Sequence, residues 1–130
     1  MTRENLIAKA LEMRQKAYAP YSKFRVGAAL ETADGTVYGG CNVENAAYGS
    51  CICAERTALV KAVSEGHRKI VRLAVAGDST DYCWPCGACR QMLREFAPEL
   101  VIDVVNKNGD AVTTTLADLL PHSFGPDTLE

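Results

Sequence analysis

The runs IVRLAVA at 70–76, PCGACRQMLREF at 85–96 and LVIDVV at 100–105 decide how this chain folds. The outer two are rich in Val, Ile and Leu, the composition of buried strands. Between them, Cys86, Cys89, Met92, Leu93 and Phe96 fall on one helical stripe. Pro85 stands at the helix start, where its missing N–H costs nothing, and Ala97-Pro98 ends the helix. Strand, helix and strand in succession predict a layered α/β domain, one sheet covered by helices.

The flanking sequence extends this pattern. Leu6, Ile7, Ala10, Leu11, Ala17 and Tyr18 recur at helical spacing, which predicts an amphipathic helix over the first 18 residues. Strands follow at 24–30 and 36–43. Asp34-Gly35 between them is a hairpin signal, read as a type I′ turn. Gly39-Gly40 inside the second strand marks a bulge or a close backbone approach. Residues 46–50 read as a loop. A second helix starts near Ile52 or Cys53 and stops at Gly66. Asn108-Gly109 turns the chain into a fifth strand at 111–115. Thr115 and Asp118 resemble a capping box for a short helix that Pro121 ends, and 122–130 is a tail with little regular pattern. The order is α, β, β, α, β, α, β, β, α.

The 130 residues fit one domain over 1–130 and not two. A net charge of −2 argues against a nucleic-acid surface, which is usually strongly basic. The first residues mix acids and bases and lack a signal-like apolar core, and no apolar run is long enough to span a membrane. The expected setting is cytoplasmic, with no membrane partner. There, six cysteines are metal ligands, catalytic groups or buried thiols rather than disulfides.

Pro85-Cys86-Gly87-Ala88-Cys89 sets two thiols at i and i+3 on one helix face, at a helix N-terminus that favours the thiolate form. Cys53-Ala54-Glu55 opens the preceding helix and offers a third thiolate and a carboxylate. Three ligands on Zn²⁺ leave a fourth position for water, the catalytic arrangement. A nearby carboxylate that does not ligate can move protons, and these parts in this order form the zinc-deaminase signature. Three thiolates on Zn²⁺ leave a negative site, which Arg56, three residues after Cys53, can offset; Arg90 is a second candidate. Other readings stand beside this one. Cys51, Cys53, Cys86 and Cys89 can form a closed structural zinc site, in a module with no catalytic role for Glu55. Cys83, Cys86 and Cys89 can form part of an iron–sulfur run, although position 93 is leucine. Cys41 and Cys51 read as buried thiols and Cys83 as a loop thiol. Neither His67 nor His122 looks like a ligand; both are expected at the surface.

The motifs at 18–24 (YAPYSKF), 26–30 (VGAAL), 40–46 (GCNVENA), 53–58 (CAERTA) and 85–91 (PCGACRQ), with LLP at 119–121 and Phe124, resemble the small homotetrameric cytidine deaminases of nucleoside salvage. The similarity covers nearly the whole chain. It implies a three-layer α/β/α fold around one mixed five-stranded sheet. It also implies one zinc ion per chain on Cys53, Cys86 and Cys89. The implied reaction is hydrolysis of free cytidine and deoxycytidine to uridine and deoxyuridine with release of ammonia. Glu55 would carry the proton between the zinc-bound water, ring N3 and the leaving amine, and Arg56 would offset the thiolate charge. Phe24 would pack on the pyrimidine, Asn42 and Glu44 would hold the ribose hydroxyls, and the Ala54 N–H would bind the 2-oxo group. Neighbouring subunits would complete each site through 46–48, including Ala46 and Tyr48, and through Phe124. The sequence departs from the family pattern at Asp81-Tyr82-Cys83-Trp84, where small residues are more usual before the proline.

Overall fold

The computed structural model describes residues 2–129. Helix α1 covers Arg3–Arg14, strands β1 and β2 cover Val26–Thr32 and Val37–Cys41, and α2 covers Ala54–Ser64. Strand β3 (Ile70–Gly77), α3 (Gly87–Phe96), β4 (Val101–Val105), β5 (Ala111–Thr115) and α4 (Leu116–Leu119) follow. The sheet order is β2-β1-β3-β4-β5. Only β3 and β4 pair in parallel, joined by the crossover that contains α3, so the sheet is mixed. The three-layer α/β/α fold implied by the resemblance is the one observed.

Alternation along the strands makes the layers. Ala29, Ala74, Ala76 and Val105 face Leu6, Ile7 and Ala10 of α1. Their neighbours Ala28, Leu30, Leu73, Val75, Ile102 and Val104 face α2 and α3. Gly27 lies under α1, and a Cβ there would sit 2.1 Å from the Ala10 carbonyl oxygen. Gly40 lies under α2, and a Cβ there would sit 2.5 Å from the Ala58 nitrogen. The close approach expected from the paired glycines is therefore a helix backbone lying directly on a strand.

Several boundaries differ from those expected. Helix α1 stops at Arg14 rather than reaching 18, because the Tyr18 N–H and carbonyl are claimed by Asn42 and Glu44 of the extended segment after β2. Strand β1 starts at Val26 rather than 24, because side chains hold the backbone before it. The Phe24 N–H donates to Ser22 Oγ, the Arg25 N–H donates to Asp78, and the Phe24 carbonyl accepts from Asn42. The Asp34-Gly35 hairpin forms, but not with a type I′ turn. Only Gly35 has a positive φ (90°), and the Gly35 N–H donates to Thr32, a type I turn closed by a left-handed glycine. Asn106 to Asp110 repeats that geometry with Gly109. Helix α2 ends as its glycine predicts. The Gly66 N–H reaches the Val63 carbonyl and the His67 N–H the Ala62 carbonyl, a Schellman motif. His67 is half-buried rather than exposed, its ring 5.5 Å from that of Tyr38 and its Nδ1 3.8 Å from Asp34. The tail contains a turn of 3-10 helix at Pro126–Leu129.

One buried charge ties the first layer to the sheet. Asp103 of β4 is fully buried and accepts hydrogen bonds from Arg72 Nε (2.9 Å), Arg3 Nε (3.0 Å) and Thr113 Oγ1 (2.6 Å). Burial alone would raise its pKa, but these three donors more than offset that and hold it below the ordinary value near 3.8. A folded-state pKa below the unfolded one stabilises the fold fully above the unfolded value, and that contribution is lost as pH falls through the folded value. Asp103→Asn is therefore expected to lose roughly 1–3 kcal/mol at neutral pH. Its urea-unfolding free energy should also fall less steeply than that of the parent protein below pH ~4. An identical slope in the two proteins would remove Asp103 as the source.

Candidate active site

The two helices that follow β2 and β3 begin at one place. Cys53 is the N-cap of α2 and Cys86 the N-cap of α3, both in extended backbone and neither capping with its sulfur. Each sulfur is therefore free to face outward beyond its helix end. Cys89, in the first turn of α3, is fully buried beneath them. The Cys53 and Cys86 sulfurs are 3.7 Å apart, those of Cys86 and Cys89 are 3.2 Å apart, and all three lie within 4.8 Å of one another. A tetrahedral zinc–thiolate centre with Zn–S near 2.3 Å requires sulfur separations of about 3.8 Å, so this triangle needs only small adjustments to fit one ion.

The protonation chemistry points the same way. The Cys53 thiol is drawn down to about 5, first by a hydrogen bond with Cys89 and then by the Arg56 guanidinium, against the opposing effect of burial. Cys89 is pushed up by that same shared proton and by burial. A divalent cation would replace the shared proton and let all three sulfurs ionise. Arg56 Nη2 donates toward Cys53 Sγ at 3.7 Å and to the Cys51 carbonyl at 3.3 Å, as expected for charge compensation. Its Nε is buried with no acceptor among the described residues. Arg90 does not reach the sulfurs; it binds the carbonyls of Pro85 and Leu119 at 2.7 Å each, joining α3 to α4.

Glu55, in the first turn of α2, is 4% exposed. Burial raises its carboxyl to about 7, the charge on Cys53 adding to the effect. Glu55, Cys53, Cys86 and Ala54 line one cavity of about 250 Å³, to which Asn42 and Glu44 also belong. As the first residue of α2, Ala54 has an N–H with no intrahelical acceptor. Asn42 and Glu44 flank Val43, which bridges to Tyr18 and to Ile52, so the extended backbone carries both toward the cavity although β2 has ended at Cys41. The Asn42 amide accepts from the Val26 N–H and donates to the Phe24 carbonyl, both at 2.8 Å. That leaves one N–H and one lone pair for a ligand.

Phe24 stands beside this cavity rather than within its lining. The tip of its ring lies over Gly77, where an added Cβ would meet it at 3.2 Å. Tyr48 is 72% exposed and lines an adjoining groove with Tyr21, Ser22, Glu44 and Cys51. Ala46 and Phe124 are exposed and line neither space. Gln91 and Arg94 of α3 hold the backbone and side chains around Phe124. Val26, Cys51, Ile52 and Cys83 line the cavity without having been singled out for it, and Trp84 joins them at the pocket, one of the two places its departure from the family pattern suggested. Cys83 and Trp84 had one signal, the departure from the family pattern before Pro85. Cys41 and Cys51 are half-buried rather than core residues, and all six cysteines are unpaired.

A larger groove of about 350 Å³ at 69–71 and 96–100 carries only Lys69 and Glu99 as charged groups and no cluster of metal donors. The three convergent thiols and the buried carboxylate lie at the paired helix ends.

A mixed α/β/α sandwich with three convergent thiols and a buried carboxylate at two helix N-termini defines a zinc hydrolase of the deaminase type. Comparison with known proteins narrows the class. Residues 1–104 match the model of the cytidine and deoxycytidylate deaminase zinc-binding region. A cytidine deaminase of Sporosarcina psychrophila is 50% identical over 97% of this chain and 93% of its own length. A probable cytidine deaminase of Dictyostelium discoideum is 44% identical over 97% and 86%. The crystal structure of cytidine deaminase from Burkholderia pseudomallei superposes with a TM-score of 0.92 at 51% identity, covering 95% of this chain and all of that one. The chain belongs to the cytidine and deoxycytidylate deaminase family and carries its zinc-binding domain.

Proposed function

We infer that this protein hydrolyses the exocyclic amine of free cytidine and deoxycytidine, giving uridine or deoxyuridine and ammonia. The observation that carries the reading is the buried Glu55 carboxylate sharing a cavity with the Cys53 and Cys86 sulfurs. We assign zinc to Cys53, Cys86 and Cys89. When bound there, zinc acts as a Lewis acid that makes water nucleophilic at neutral pH. Glu55 takes a proton from the attacking water and delivers it to ring N3; it then takes the remaining proton from the new C4 hydroxyl and passes it to the amine, so that ammonia leaves as the 4-oxo group forms. Its burial keeps the carboxylate out of bulk water, as proton transfer at a shielded centre requires. Arg56 offsets the thiolate charge. The Ala54 N–H points its hydrogen at the 2-oxo group, Phe24 packs on the pyrimidine, and Asn42 and Glu44 take the sugar hydroxyls.

The assembly assigned here is a homotetramer whose sites are shared. Tyr48, Phe124 and the segment that includes Ala46 are exposed, and the cavity opens beside the groove that Tyr48 lines. Tyr48, an exposed aromatic beside the cavity, and Phe124, exposed but lining neither space, are contacts that neighbouring copies would bury. No described helix is long and apolar enough to cross a membrane. We assign a cytoplasmic setting, where reducing conditions suit six unpaired cysteines. The test is ammonia release from cytidine by the purified protein, with zinc analysis and light scattering on the same sample. The expected result is turnover, about one zinc per chain and the mass of a tetramer. A zinc-loaded protein inert on cytidine and deoxycytidine would overturn the assignment of substrate.

A further inference from the structure

The loop before β1 is built around one serine. The Ser22 N–H and the Tyr21 N–H donate to Glu44 Oε1 at 3.1 and 3.0 Å, and the Ser22 hydroxyl donates to Glu44 Oε2. The same hydroxyl accepts from the Phe24 N–H at 3.0 Å. A hydroxyl has one proton and two lone pairs, so it makes both bonds at once. Between Ser22 and Phe24, Lys23 adopts a left-handed φ of 62°, unusual for a side-chain-bearing residue. It is held there by its N–H to the Ala19 carbonyl at 3.1 Å and by the Phe24-to-Ser22 bond on its other side. One exposed side chain thus fixes the carboxylate of Glu44 and the backbone that places Phe24.

The consequence for recognition follows from the acceptor count. A carboxylate has about four lone-pair sites, and three donors occupy Glu44. Those donors, the Ser22 hydroxyl foremost, hold its carboxyl below the ordinary range, so it is an acceptor only. Glu44 lines both the cavity and the groove beside it. A fixed, ionised carboxylate with one open site at such a junction reads a hydroxyl of the ligand, in one direction.

We propose that Ser22 is a positioning residue for sugar recognition: its hydroxyl holds Glu44 in the orientation from which that carboxylate accepts a hydroxyl of the nucleoside. The proposal rests on the nucleoside reading given above. Without the hydroxyl, Glu44 keeps two backbone donors on one oxygen and can rotate its other oxygen away. The Phe24 N–H also loses its acceptor, a loss shared by every substrate, whereas the loss through Glu44 falls only on substrates with secondary sugar hydroxyls.

The experiment compares the parent protein, Ser22→Ala and Ser22→Thr on cytidine and on 2′,3′-dideoxycytidine, which lacks both secondary hydroxyls. Ser22→Ala is expected to raise KM for cytidine about tenfold, the size of a lost hydrogen bond to a charged group, with kcat nearly unchanged. Its kcat/KM on the dideoxy substrate should fall clearly less than on cytidine, the part common to both substrates being the acceptor lost by the Phe24 N–H. Ser22→Thr retains the hydroxyl and is expected to restore the cytidine KM. Equal losses on the two substrates would show that Ser22 only supports the loop, and would overturn the proposal, as would an unchanged KM. A parent protein inactive on cytidine would overturn the nucleoside reading itself, an outcome visible before any variant is made.

Discussion

Glu55→Gln is expected to lower the rate of cytidine deamination by at least about 10³-fold while the protein keeps its fold and its zinc. Glutamine retains the volume and the hydrogen-bonding shape of the side chain but can neither accept nor release a proton at this position. The carboxyl is 4% exposed and does not belong to the cluster of three sulfurs, so its replacement removes no ligand. Stability should hold or rise slightly, because a buried carboxylate costs more to desolvate than an amide. The measurement is steady-state ammonia release beside zinc content and a thermal melt for both proteins. Substantial residual turnover would sink the assigned role of Glu55. A variant that lost zinc with its activity would place Glu55 in metal binding instead. A purely structural zinc site would leave Glu55→Gln without any effect beyond stability, so the variant also separates a catalytic centre from a zinc-stabilised module.

Much of this centre was legible because its parts are local. Cys86 and Cys89 lie three residues apart, and Cys53 and Glu55 two apart. Each pair falls at a helix start marked by Pro85 or by the end of a loop, so spacing predicts each pair, and the zinc-deaminase signature joins the two pairs across 33 residues. Alternation places Asn42 and Glu44 on one face, and it survives beyond the formal end of β2 because Val43 remains bridged on both sides, but their assignment to the sugar came only from the family resemblance. What could not be read depends on contacts between distant residues. Tyr18 fits a helical stripe, but its backbone bonds go to Asn42 and Glu44. Phe24 has strand composition, but Ser22 and Asn42 hold its backbone outside the ladder. Asp34-Gly35 announces a hairpin, yet the turn type depends on whether Asp34 joins the glycine at positive φ, which the dipeptide does not dictate. Ser22 has no periodic signal at all; its partner Glu44 is 22 residues away.

Gly27→Ala is expected to cost at least about 4 kcal/mol, in the range reserved for severe core defects. The added methyl would lie 2.1 Å from the Ala10 oxygen and 2.2 Å from the Arg14 nitrogen. Both are helix backbone, so no rotamer change relieves the overlap, and α1 must move off the sheet as a unit. Against a total stability of about 5–15 kcal/mol, little folded protein should remain under mild urea. Gly40→Ala makes the same kind of collision with the other helix layer. Its methyl would lie 2.5 Å from the Ala58 nitrogen and 2.8 Å from the Ala54 oxygen. That helix is capped by Cys53 and carries Glu55, so moving it off β2 also separates Cys53 from Cys86 and Cys89 at the start of α3. The two variants should therefore differ in kind. Whatever fraction of Gly27→Ala folds should hold zinc as the parent protein does, whereas folded Gly40→Ala should lose it to a weaker chelator. Gly49→Ala, with nothing within 4 Å of the new methyl, is the control and should change neither quantity. Urea unfolding and chelator competition on the three variants check the argument. An unshifted midpoint for Gly27→Ala would overturn the close packing of α1. Equal zinc retention in Gly27→Ala and Gly40→Ala would show that the seat of α2 on β2 does not set the metal triangle.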